Sequence, residues 1–477
     1  MVVDKVRTKI VCTIGPASES KEILSQMIEA GMDVVRLNLS HGSHADVKKR
    51  FELIREIDDT IPILFDLQGP KIRIGEIKKP TELKTGQEFV LSIEDFVGDN
   101  TAASISYKHL PKDVKPGDVI AVNDGIIRLR VKQVSDVEIV TNVEHGGPIS
   151  SRKGVNVPGI RLTMRIPTEK DLKDLDLAAE LEPDFIALSF VMDDEDIRNM
   201  RKEMAARGIP NIPVISKIEH GLAVKNYDRI LKESYGIMIA RGDLGIEVPI
   251  EQVPILQREL IRKANIWARP TIVATHMLES MTHEPLPTRA EVSDVAHAVF
   301  DRADAVMLSG ETAVGDYPVK TVSMMNKIVR TAEETLPPVD PHSVTSERRM
   351  IVEIIGDLVY NVLNLIPDKV AGIITATRTG YTPRWISKYR PPANIFAVVT
   401  SKEVMRRTRI LWGVVPVLYT KEERNVDDLI KASVNVVYSQ GLIGLDKDIV
   451  FTSGTRLIPG RTNLVGVFHV KDLVEAF

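Results

Sequence analysis

The chain has a single cysteine, Cys12, among its 477 residues. One thiol cannot form an intrachain disulfide, and it excludes a cysteine-rich zinc or iron–sulfur site. No apolar run approaches the roughly 18 residues that a membrane helix needs. Basic and acidic side chains nearly balance, 62 against 66, and neither sign forms a long block. We therefore expect no membrane partner and no nucleic acid bound through a polybasic segment.

Three short sequence signals are also missing. Charged residues such as Asp4, Lys5 and Arg7 interrupt the apolar core that a secretory signal needs, so we expect a cytoplasmic protein. No Walker A loop and no complete G-x-G-x-x-G pattern follows a predicted strand. A nucleotide, if one binds, is therefore not expected in either of those loops.

The chain does contain a repeated pattern of strand followed by helix. Its length predicts two to four domains, and its 43% hydrophobic and 27% charged residues are typical of a globular protein. Eight short Val- and Ile-rich runs predict strands at 8–14, 33–39, 61–67, 184–190, 212–219, 235–240, 270–275 and 303–308. Eight such α/β units predict a closed (β/α)₈ TIM barrel. In the first unit, Ser20 and Gly31 are predicted to cap the helix.

Two further segments have sequence patterns that set them apart from the barrel. Between the third and fourth strands, period-two alternation and the hairpin signal Asp124-Gly125 predict a small all-β insert. After a proline-rich boundary, strands and helices alternate again and predict an open α/β domain. The predicted bounds are 1–70 and 160–338 for the barrel, 71–159 for the insert and 345–477 for the C-terminal domain.

Polar residues at the C-terminal ends of the strands are the candidates for chemistry, because a TIM barrel carries its active site there. Lys217 and Glu219 are two apart on the fifth strand, so their side chains point the same way. The sixth strand leads into Gly242 and Asp243. Two carboxylates beside an ammonium suit a hard divalent ion, Mg²⁺ or Mn²⁺. A salt bridge within the barrel would explain one such pair equally well.

Four positive charges surround this predicted metal site, from Arg36, Arg73, Lys217 and, in the insert, Lys153. Arginine matches carboxylate and phosphate oxygens and lysine acts as a point charge, so we expect a substrate that carries both groups. Phosphoryl transfer depends on alignment and charge stabilisation. The lack of an obvious Cys or Ser-His nucleophile therefore does not exclude a kinase.

Nine stretches resemble, in order, the signatures of the pyruvate kinase family over roughly residues 8–320. They are KIVCTIGPAS, VVRLNLSHG, FDLQGPKIRIG, KGVNVPG, ISKIE, IMIARGDLG, TIVATHMLESM, PTRAEVSDVAHAV and MLSGETAVGDYP. The rest of the chain resembles the C-terminal regulatory domain of that family more loosely. The resemblance implies transfer of phosphate from phosphoenolpyruvate to ADP, giving ATP and pyruvate, at the last step of glycolysis. It also implies a homotetramer, with the insert as a β-barrel lid.

The resemblance implies a role for each matching residue. Glu219 and Asp243 would hold the divalent ion, and Lys217 would neutralise the phosphoryl group during transfer. Substrate contacts fall on Arg36, Arg73, Lys217, Gly242, Asp243 and Thr275, and contacts on the ADP side fall on Thr13, Pro16, Asn38, Ser40, His41, Arg73 and Lys153. Lys153 would reach the nucleotide when the lid closes.

Protonation of the enolate is expected through a water relayed by Thr275, Ser309 and Glu311, because a threonine hydroxyl alone is a weak acid. Ser309 and Glu311 could equally be a helix cap and its neighbour, since Ser-x-Glu before a helix is also what capping produces.

The third strand end departs from the family's pattern. The family's monovalent-ion position falls on Asn38, Ser40 and Asp66. Many members carry Thr after that aspartate and Glu two residues before the arginine, where this chain has Leu67 and Lys71. We expect the Lys71 ammonium to replace K⁺, so that K⁺ is not required. In the insert, Asn123 stands where an aspartate is common, with an effect that the sequence does not reveal.

A loop in the C-terminal domain is the candidate for an effector site. It comprises Thr375, Thr377, Arg378, Thr379 and Gly380, and Arg456 and Arg461 could complete it. Hydroxyls and amides at a helix N-terminus suit a phosphate, so we expect a phosphorylated metabolite there. A threonine-rich loop is also consistent with a capped turn and no ligand.

Two other functions compete with the kinase. One is a metal-dependent barrel lyase or aldolase, which would need the carboxylates and an arginine but not the insert with Lys153. The other is a catalytically inactive metabolite sensor. Against a sensor stands the presence of Arg36, Lys217, Glu219 and Asp243, because charges held so close together are costly to keep.

Overall fold

The computed structural model describes residues 6–346, 350–366, 368–454 and 462–474. At its centre is a closed barrel of eight parallel strands that follow one another around the ring in chain order. The strands are Lys9–Thr13, Val34–Asn38, Ile63–Asp66, Phe185–Leu188, Val214–Ile218, Gly236–Ala240, Thr271–Ala274 and Ala305–Leu308. All eight predicted runs contain a barrel strand, which confirms the predicted TIM barrel.

Helices cover the outside of the barrel, so its strands are buried on both faces and read as continuous apolar runs. In the first unit, Ser20 accepts the Ile23 N–H at 3.2 Å and Gly31, at φ 119°, ends the helix, as predicted. The barrel helices are Lys21–Ala30, His44–Ile57, Glu169–Leu181, Asp194–Ala206, Gly221–Lys225, Tyr227–Glu233, Arg241–Glu247, Val253–Ile266, Arg289–Phe300, Gly310–Ala313 and Pro318–Glu334. Short 3₁₀ helices lie at Ile250–Gln252, Glu279–Thr282 and Pro341–Val344.

The all-β insert, here called the lid, is a curled sheet. Its seven strands lie in the order Ile72–Arg73, Gly154–Asn156, Val119–Val122, Ile127–Val134, Glu138–His145, Glu88–Ser92 and Ala102–Ser104. Beside it lie a strand pair, Thr81–Leu83 with Gly147–Ile149, and the helix Leu110–Asp113. An isolated bridge between Ile74 and Ile105 joins the two edges of the sheet, so the lid curls into a barrel around its own apolar core.

The C-terminal domain is a five-stranded sheet in the order Val414–Leu418, Ile395–Val399, Val370–Thr377, Asp448–Ser453 and Leu464–His469. Four strands are parallel, as the alternation predicts, and the last is antiparallel. The helices of this domain are Ile351–Leu365, Tyr381–Ser387, Lys402–Thr408, Val426–Ser439 and Val470–Leu473. No helix in the described part of the chain is both long and apolar enough to span a membrane.

The C-terminal domain packs against the N-terminal end of the barrel, here called the floor. One apolar cluster contains Phe185 and Met238 from the barrel together with Ile373 and Ile386 from the C-terminal domain. The opposite end, here called the mouth, stays open towards the lid, and it is there that the polar strand ends meet.

Candidate active site

Lys217 lies at the centre of the mouth. Its ammonium is 2.8 Å from Glu219 Oε1 and 3.1 Å from Asp66 Oδ1, and it donates to Ser189 Oγ at 2.8 Å. Both carboxylate side chains are 1% exposed. Burial alone would lower the pKa of Lys217, but Asp66 and Glu219 outweigh burial and raise it. The lysine is therefore a fixed positive charge.

Arg36, on the second strand, is held beside this lysine. Its Nε donates to Asp66 Oδ2 at 2.7 Å, and its Nη1 donates to Thr13 Oγ1 at 2.8 Å. Burial acts to raise the pKa of Asp66, but Lys217 and Arg36 more than offset it and lower the pKa. Asp66 is thus ionised, and its contacts with Lys217 and Arg36 set the spacing of these two cations.

Glu219 and Asp243, the two candidate metal ligands, lie at the ends of neighbouring strands. Glu219 accepts the Phe190 N–H at 2.9 Å, and Asp243 lies in the first turn of the helix Arg241–Glu247. Burial raises the pKa of Glu219, Lys217 opposes this, and the charge of Asp243 adds to it. The described residues contain no cluster of three or more His, Cys, Asp or Glu side chains that could hold a metal alone. Any divalent ion here must draw further ligands from substrate or water.

Thr275 lies in a tight turn after the seventh strand, where it meets Gly242 from the helix that follows the sixth strand. Thr275 and His276 both adopt left-handed backbone angles, φ 68° and 53°, which are strained for residues other than glycine. The Gly242 N–H donates to Thr275 Oγ1 at 2.8 Å, and a Cβ on Gly242 would come within 3.1 Å of His276. Arg241 braces the turn by donating to the Thr275 carbonyl at 2.8 Å.

Ser309 and Glu311 follow the eighth strand, beside Thr275. Glu311 is buried and accepts the backbone N–H groups of Ser309, at 2.7 Å, and Leu278, at 3.2 Å. Ser309 is the N-cap residue of Gly310–Ala313 but makes no side-chain cap bond, and its hydroxyl has no hydrogen-bond partner among the described residues. Glu311 thus supports the turn, while the Ser309 hydroxyl is left for another partner.

Lys71 and Arg73 bring positive charge from the lid side of the mouth. Burial, together with Arg73 and Lys217, lowers the pKa of Lys71, against the opposing effect of Asp243 and of Asp124 at the lid tip. Arg73 donates to the Arg152 carbonyl at 2.8 Å, and Lys153 directly precedes the lid strand Gly154–Asn156.

The predicted ADP side is also positive. Burial lowers the pKa of His41, and Lys71, Arg73, Arg36 and Lys170 lower it further. Asn38 Oδ1 accepts the Ser40 N–H at 3.1 Å. Two nearby residues differ in access: Pro16 is exposed, whereas the Thr13 hydroxyl is buried and donates to the Leu308 carbonyl at 2.9 Å. Thr13 therefore acts on the site through Arg36.

In the lid, Asn123 makes a contact that an aspartate could not. Its Nδ2 donates to the Pro148 carbonyl at 3.1 Å, and its backbone adopts a left-handed φ of 54° in the hairpin turn. A carboxylate has no proton to donate there, so the amide suits this turn.

The effector loop lies at the end of the strand Val370–Thr377. Thr377 Oγ1 accepts the Gly380 N–H at 3.0 Å and the Thr379 N–H at 3.4 Å, as in a capped turn. Arg378 pairs with Glu422 at 2.9 Å on the surface. The Thr375 hydroxyl is buried and has no hydrogen-bond partner among the described residues. Arg456 and Arg461 lie outside the described residues.

Three residues of the mouth were not predicted from the sequence. Ser189 directly follows the fourth strand, so its position alone could have identified it. Lys170 donates to the Leu39 carbonyl at 2.6 Å from the start of a helix. Glu247 accepts bonds from Gly159 and Gly221, which are 88 and 26 residues away. No local signal marks either of these two residues.

A TIM barrel whose mouth holds a buried lysine, two neighbouring carboxylates and further cations is typical of enzymes that act on small anionic substrates. Comparisons with known proteins specify the family. The family model "Pyruvate kinase, barrel domain" matches residues 5–322, and "Pyruvate kinase, alpha/beta domain" matches residues 359–468.

Known pyruvate kinases are similar in sequence to this chain over nearly its full length. Pyruvate kinases of Geobacillus stearothermophilus and Sporosarcina psychrophila are 43% and 42% identical over 98% of this chain and 81% of their own. That of Clostridium acetobutylicum is 39% identical over 98% of this chain and all of its own. The crystal structure of a Cryptosporidium parvum pyruvate kinase aligns with a TM-score of 0.90 and 36% identity, covering 98% of this chain and 96% of that one.

This chain belongs to the pyruvate kinase family. It is an enzyme that transfers phosphate from phosphoenolpyruvate to ADP, giving pyruvate and ATP, and the family uses a divalent metal ion. The lyase and sensor alternatives are therefore set aside.

Proposed function

We propose that Lys217 neutralises the phosphoryl group as it passes from phosphoenolpyruvate to ADP by direct transfer. The observation that carries this proposal is the enclosure of its ammonium by Asp66, Glu219 and Ser189, none farther than 3.1 Å. Because these contacts fix the charge in advance, it needs no reorganisation during the reaction, which is the condition for electrostatic catalysis.

Arg36 and Arg73 bind the phosphate in this proposal. Arg36 is fixed by Asp66 and Thr13, whereas Arg73 is tied to the lid through the Arg152 carbonyl. Thr275 contacts the substrate from the strained turn and Gly242 from the start of the neighbouring helix, where the lack of a side chain on Gly242 allows Thr275 and His276 to approach closely.

Glu219 and Asp243 hold the divalent ion, Mg²⁺ or Mn²⁺. Two carboxylates with ligand positions left over fit a hard cation that also binds substrate and water. Burial raises the pKa of Glu219 and repulsion by Asp243 adds to this, and a bound cation would offset both effects. When bound, the ion supplies Lewis-acid stabilisation of charge on substrate oxygens.

Lys71 takes the place of the monovalent ion. Its side chain lies among Asp243, Asp124 and the mouth cations, and Leu67 provides no hydroxyl for a K⁺ cage. Of the family's monovalent position, Asn38 Oδ1 accepts the Ser40 backbone N–H and Asp66 accepts a bond from Arg36. We therefore expect turnover without added K⁺.

ADP lies on the side of Asn38, Ser40 and His41, with Pro16 towards the base and Arg73 at the phosphates. Lys71, Arg73, Arg36 and Lys170 make this side positive, which suits a diphosphate. Lys153 reaches the nucleotide phosphates when the lid closes and excludes water.

The proton for the enolate comes from a water held by Thr275 and Ser309. The free Ser309 hydroxyl supports this assignment, and Glu311 acts by holding the Ser309 backbone. A threonine hydroxyl alone is too weak an acid for the task.

A phosphorylated metabolite binds the effector loop. Besides Thr375, the buried hydroxyls of Thr452 and Ser453 on the adjoining strand have no hydrogen-bond partner among the described residues. Phosphate oxygens would satisfy such groups. Alanine at Thr377 and Arg378 together should abolish activation, and unchanged activation would remove this loop from consideration.

The assembly is a homotetramer in this proposal. The helix Ile351–Leu365 exposes Ile351, Ile354, Leu358 and Leu365 along one side, an apolar face of the kind that marks protein contacts. A cytoplasmic location stays a prediction.

The test is pyruvate formation from phosphoenolpyruvate and ADP with Mg²⁺, with and without K⁺. Lys217→Ala should lose about 10²–10³-fold in kcat. Lys48→Ala, at an exposed pair with Glu180, should match the wild type. A Lys217→Ala protein that keeps its turnover would contradict the role of the lysine, and an absolute requirement for K⁺ would contradict that of Lys71.

A further inference from the structure

Glu247 is a buried carboxylate outside the set predicted to act on substrate. It is the last residue of the helix Arg241–Glu247, and its side chain is 2% exposed. Its Oε2 accepts the Gly159 N–H at 3.0 Å and the Gly221 N–H at 3.3 Å, and lies 3.3 Å from His220 Nε2. No lysine or arginine of the described residues forms an ion pair with it.

The groups around Glu247 belong to three segments that have different tasks. Gly159 lies where the chain leaves the lid for the barrel, shortly after the strand Gly154–Asn156. Gly221 follows the fifth barrel strand, two residues beyond Glu219. Asp243 lies one helical turn before Glu247 on the same helix. One carboxylate therefore joins the lid to both segments that carry the candidate metal ligands.

The bonds to Glu247 fix its position without neutralising its charge. His220 Nδ1 accepts the Leu222 N–H at 3.1 Å, so the proton of the neutral ring lies on Nε2, which has both Glu247 Oε2 and the Ile160 carbonyl as neighbours. Burial lowers the pKa of His220 to about 4, and burial raises the pKa of Glu247 to about 7 against the effect of the two glycine N–H groups. A carboxylate buried without a counter-ion is costly, and it persists where its directed hydrogen bonds are needed.

The lid touches the same helix at a second point. Gly125, at the tip of the lid hairpin, packs on Ile246: a Cβ added to this glycine would lie 3.6 Å from Ile246 Cγ1. The tip and the exit of the lid thus bear on consecutive residues, 246 and 247. Both neighbours of the lid on this side therefore belong to one short helix, which has Asp243 in its first turn.

We propose that Glu247 is a positioning residue that couples the angle of the lid to the placement of Asp243 and Glu219. The proposal rests on the proposed function in one respect, that these two carboxylates hold the divalent ion. When the lid closes over ADP, Gly159 moves with it, and its bond to Glu247 passes the displacement to both ligand segments. Coupling between sites is reciprocal, so an ion at the carboxylates also biases the lid towards closure.

The experiment uses the single native cysteine to advantage. Cys12 is buried, so cysteines introduced at exposed Asp136 in the lid and exposed Lys202 on the barrel can be labelled selectively. Fluorescence energy transfer between the two dyes reports the angle of the lid, and electron paramagnetic resonance of Mn²⁺ reports metal affinity. Both are measured on the full chain with and without Mn²⁺ and ADP.

Three variants separate the coupling from general loosening. In Glu247→Ala, Mn²⁺ should no longer shift the lid, the metal-free distribution of lid angles should broaden, and the Kd for Mn²⁺ should rise about tenfold. Glu247→Gln keeps a hydrogen-bond acceptor and should restore most of the response. Arg161→Ala cuts another anchor of the same linker, the 2.5 Å pair with Asp193, and should keep both the lid response and the Kd.

Two results would overturn the proposal: a Glu247→Ala protein with the wild-type lid response and Kd, or an Arg161→Ala protein that behaves like Glu247→Ala. Asp243→Asn tests the metal assignment separately. If that variant binds Mn²⁺ normally, the assignment of the ligands fails, whereas the metal-free lid distribution of Glu247→Ala still tests Glu247 as the lid's anchor.

Discussion

The floor and the mouth of the barrel both bury charged side chains, but the two regions differ in how these charges are neutralised. At the floor, Asp304 precedes the eighth strand and pairs with Arg390 at 3.0 Å, and both side chains are almost fully buried. Asp184 precedes the fourth strand and pairs with Arg55 at 2.6 Å and Arg406 at 2.5 Å. Arg390 and Arg406 come from the C-terminal domain, so protein groups supply the counter-charges of both aspartates.

At the mouth of the same barrel, protein groups do not neutralise all of the buried charges. Asp66 has Arg36 and Lys217 as partners, but Glu219 and Asp243 repel each other, and Lys71 and Arg73 crowd together. In this barrel, buried charge therefore serves stability where protein groups neutralise it, and ligand binding where they do not.

The first prediction concerns the mouth, where a substitution should change turnover most. Glu219→Gln removes a candidate metal ligand and should lower kcat about 10²–10³-fold. Its unfolding temperature without ligands should equal or exceed that of the wild type, because the folded protein disfavours the ionised form of Glu219. Steady-state kinetics and thermal unfolding provide the two readouts. A variant that is both active and destabilised would place Glu219 with the floor charges.

Arg390→Met tests the floor in the opposite sense. It leaves Asp304 buried without its main partner, so the free energy of unfolding should fall by about 3–5 kcal/mol. Turnover per folded molecule should stay within about twofold, since the change is remote from the mouth. Urea denaturation and kinetics measure these effects.

Arg378→Ala is the matched control for that variant, because it breaks an exposed ion pair with Glu422. It should change stability by less than about 1 kcal/mol. If the two variants were equally stable, the floor pair would contribute no more than a surface one.

A third prediction exchanges a charge at the mouth for an ion. In Leu67→Thr/Lys71→Glu, the hydroxyl and carboxylate typical of the K⁺-requiring members return. Turnover without K⁺ should fall about tenfold or more, and added K⁺ should restore it, because the ion then supplies the charge that Lys71 provides. The wild type should be indifferent to K⁺ in the same assay. A double variant equally indifferent would show that Lys71 does not act at the monovalent position.

The smallest effect concerns Glu247 and pH. Burial raises the pKa of this carboxyl to about 7, with Asp243 adding to the shift and the Gly159 and Gly221 N–H groups opposing it. The folded state therefore holds the proton more tightly than the unfolded state. The resulting stability is present at low pH and is lost as pH rises through about 7.

Glu247→Gln cannot titrate at this position, so it should gain in unfolding temperature relative to the wild type as the pH rises from about 4.5 to about 7. The neutral His220 that faces the carboxyl is common to both proteins. A constant difference across this range would show that Glu247 does not titrate there.

The sequence predicts a structural feature best where a single segment contains the whole pattern for it. The barrel strands are continuous apolar runs, and Lys217 with Glu219 shows its geometry in a spacing of two. The sequence predicts least where distant segments meet. The strand Leu464–His469 pairs antiparallel at the edge of its sheet and breaks the alternation that predicts its neighbours. Glu247 has meaning only once Gly159 and Gly221 are brought to it.

The most direct test of the contrast between floor and mouth is the rise in unfolding temperature produced by Mg²⁺ with phosphoenolpyruvate. It is measured on the wild type, Glu219→Gln and Arg390→Met. We predict a clear rise in the wild type, a rise of similar size in Arg390→Met from its lower starting point, and little or none in Glu219→Gln. A full rise in Glu219→Gln, or its loss in Arg390→Met, would contradict the assignment of ligand binding to the mouth and stability to the floor.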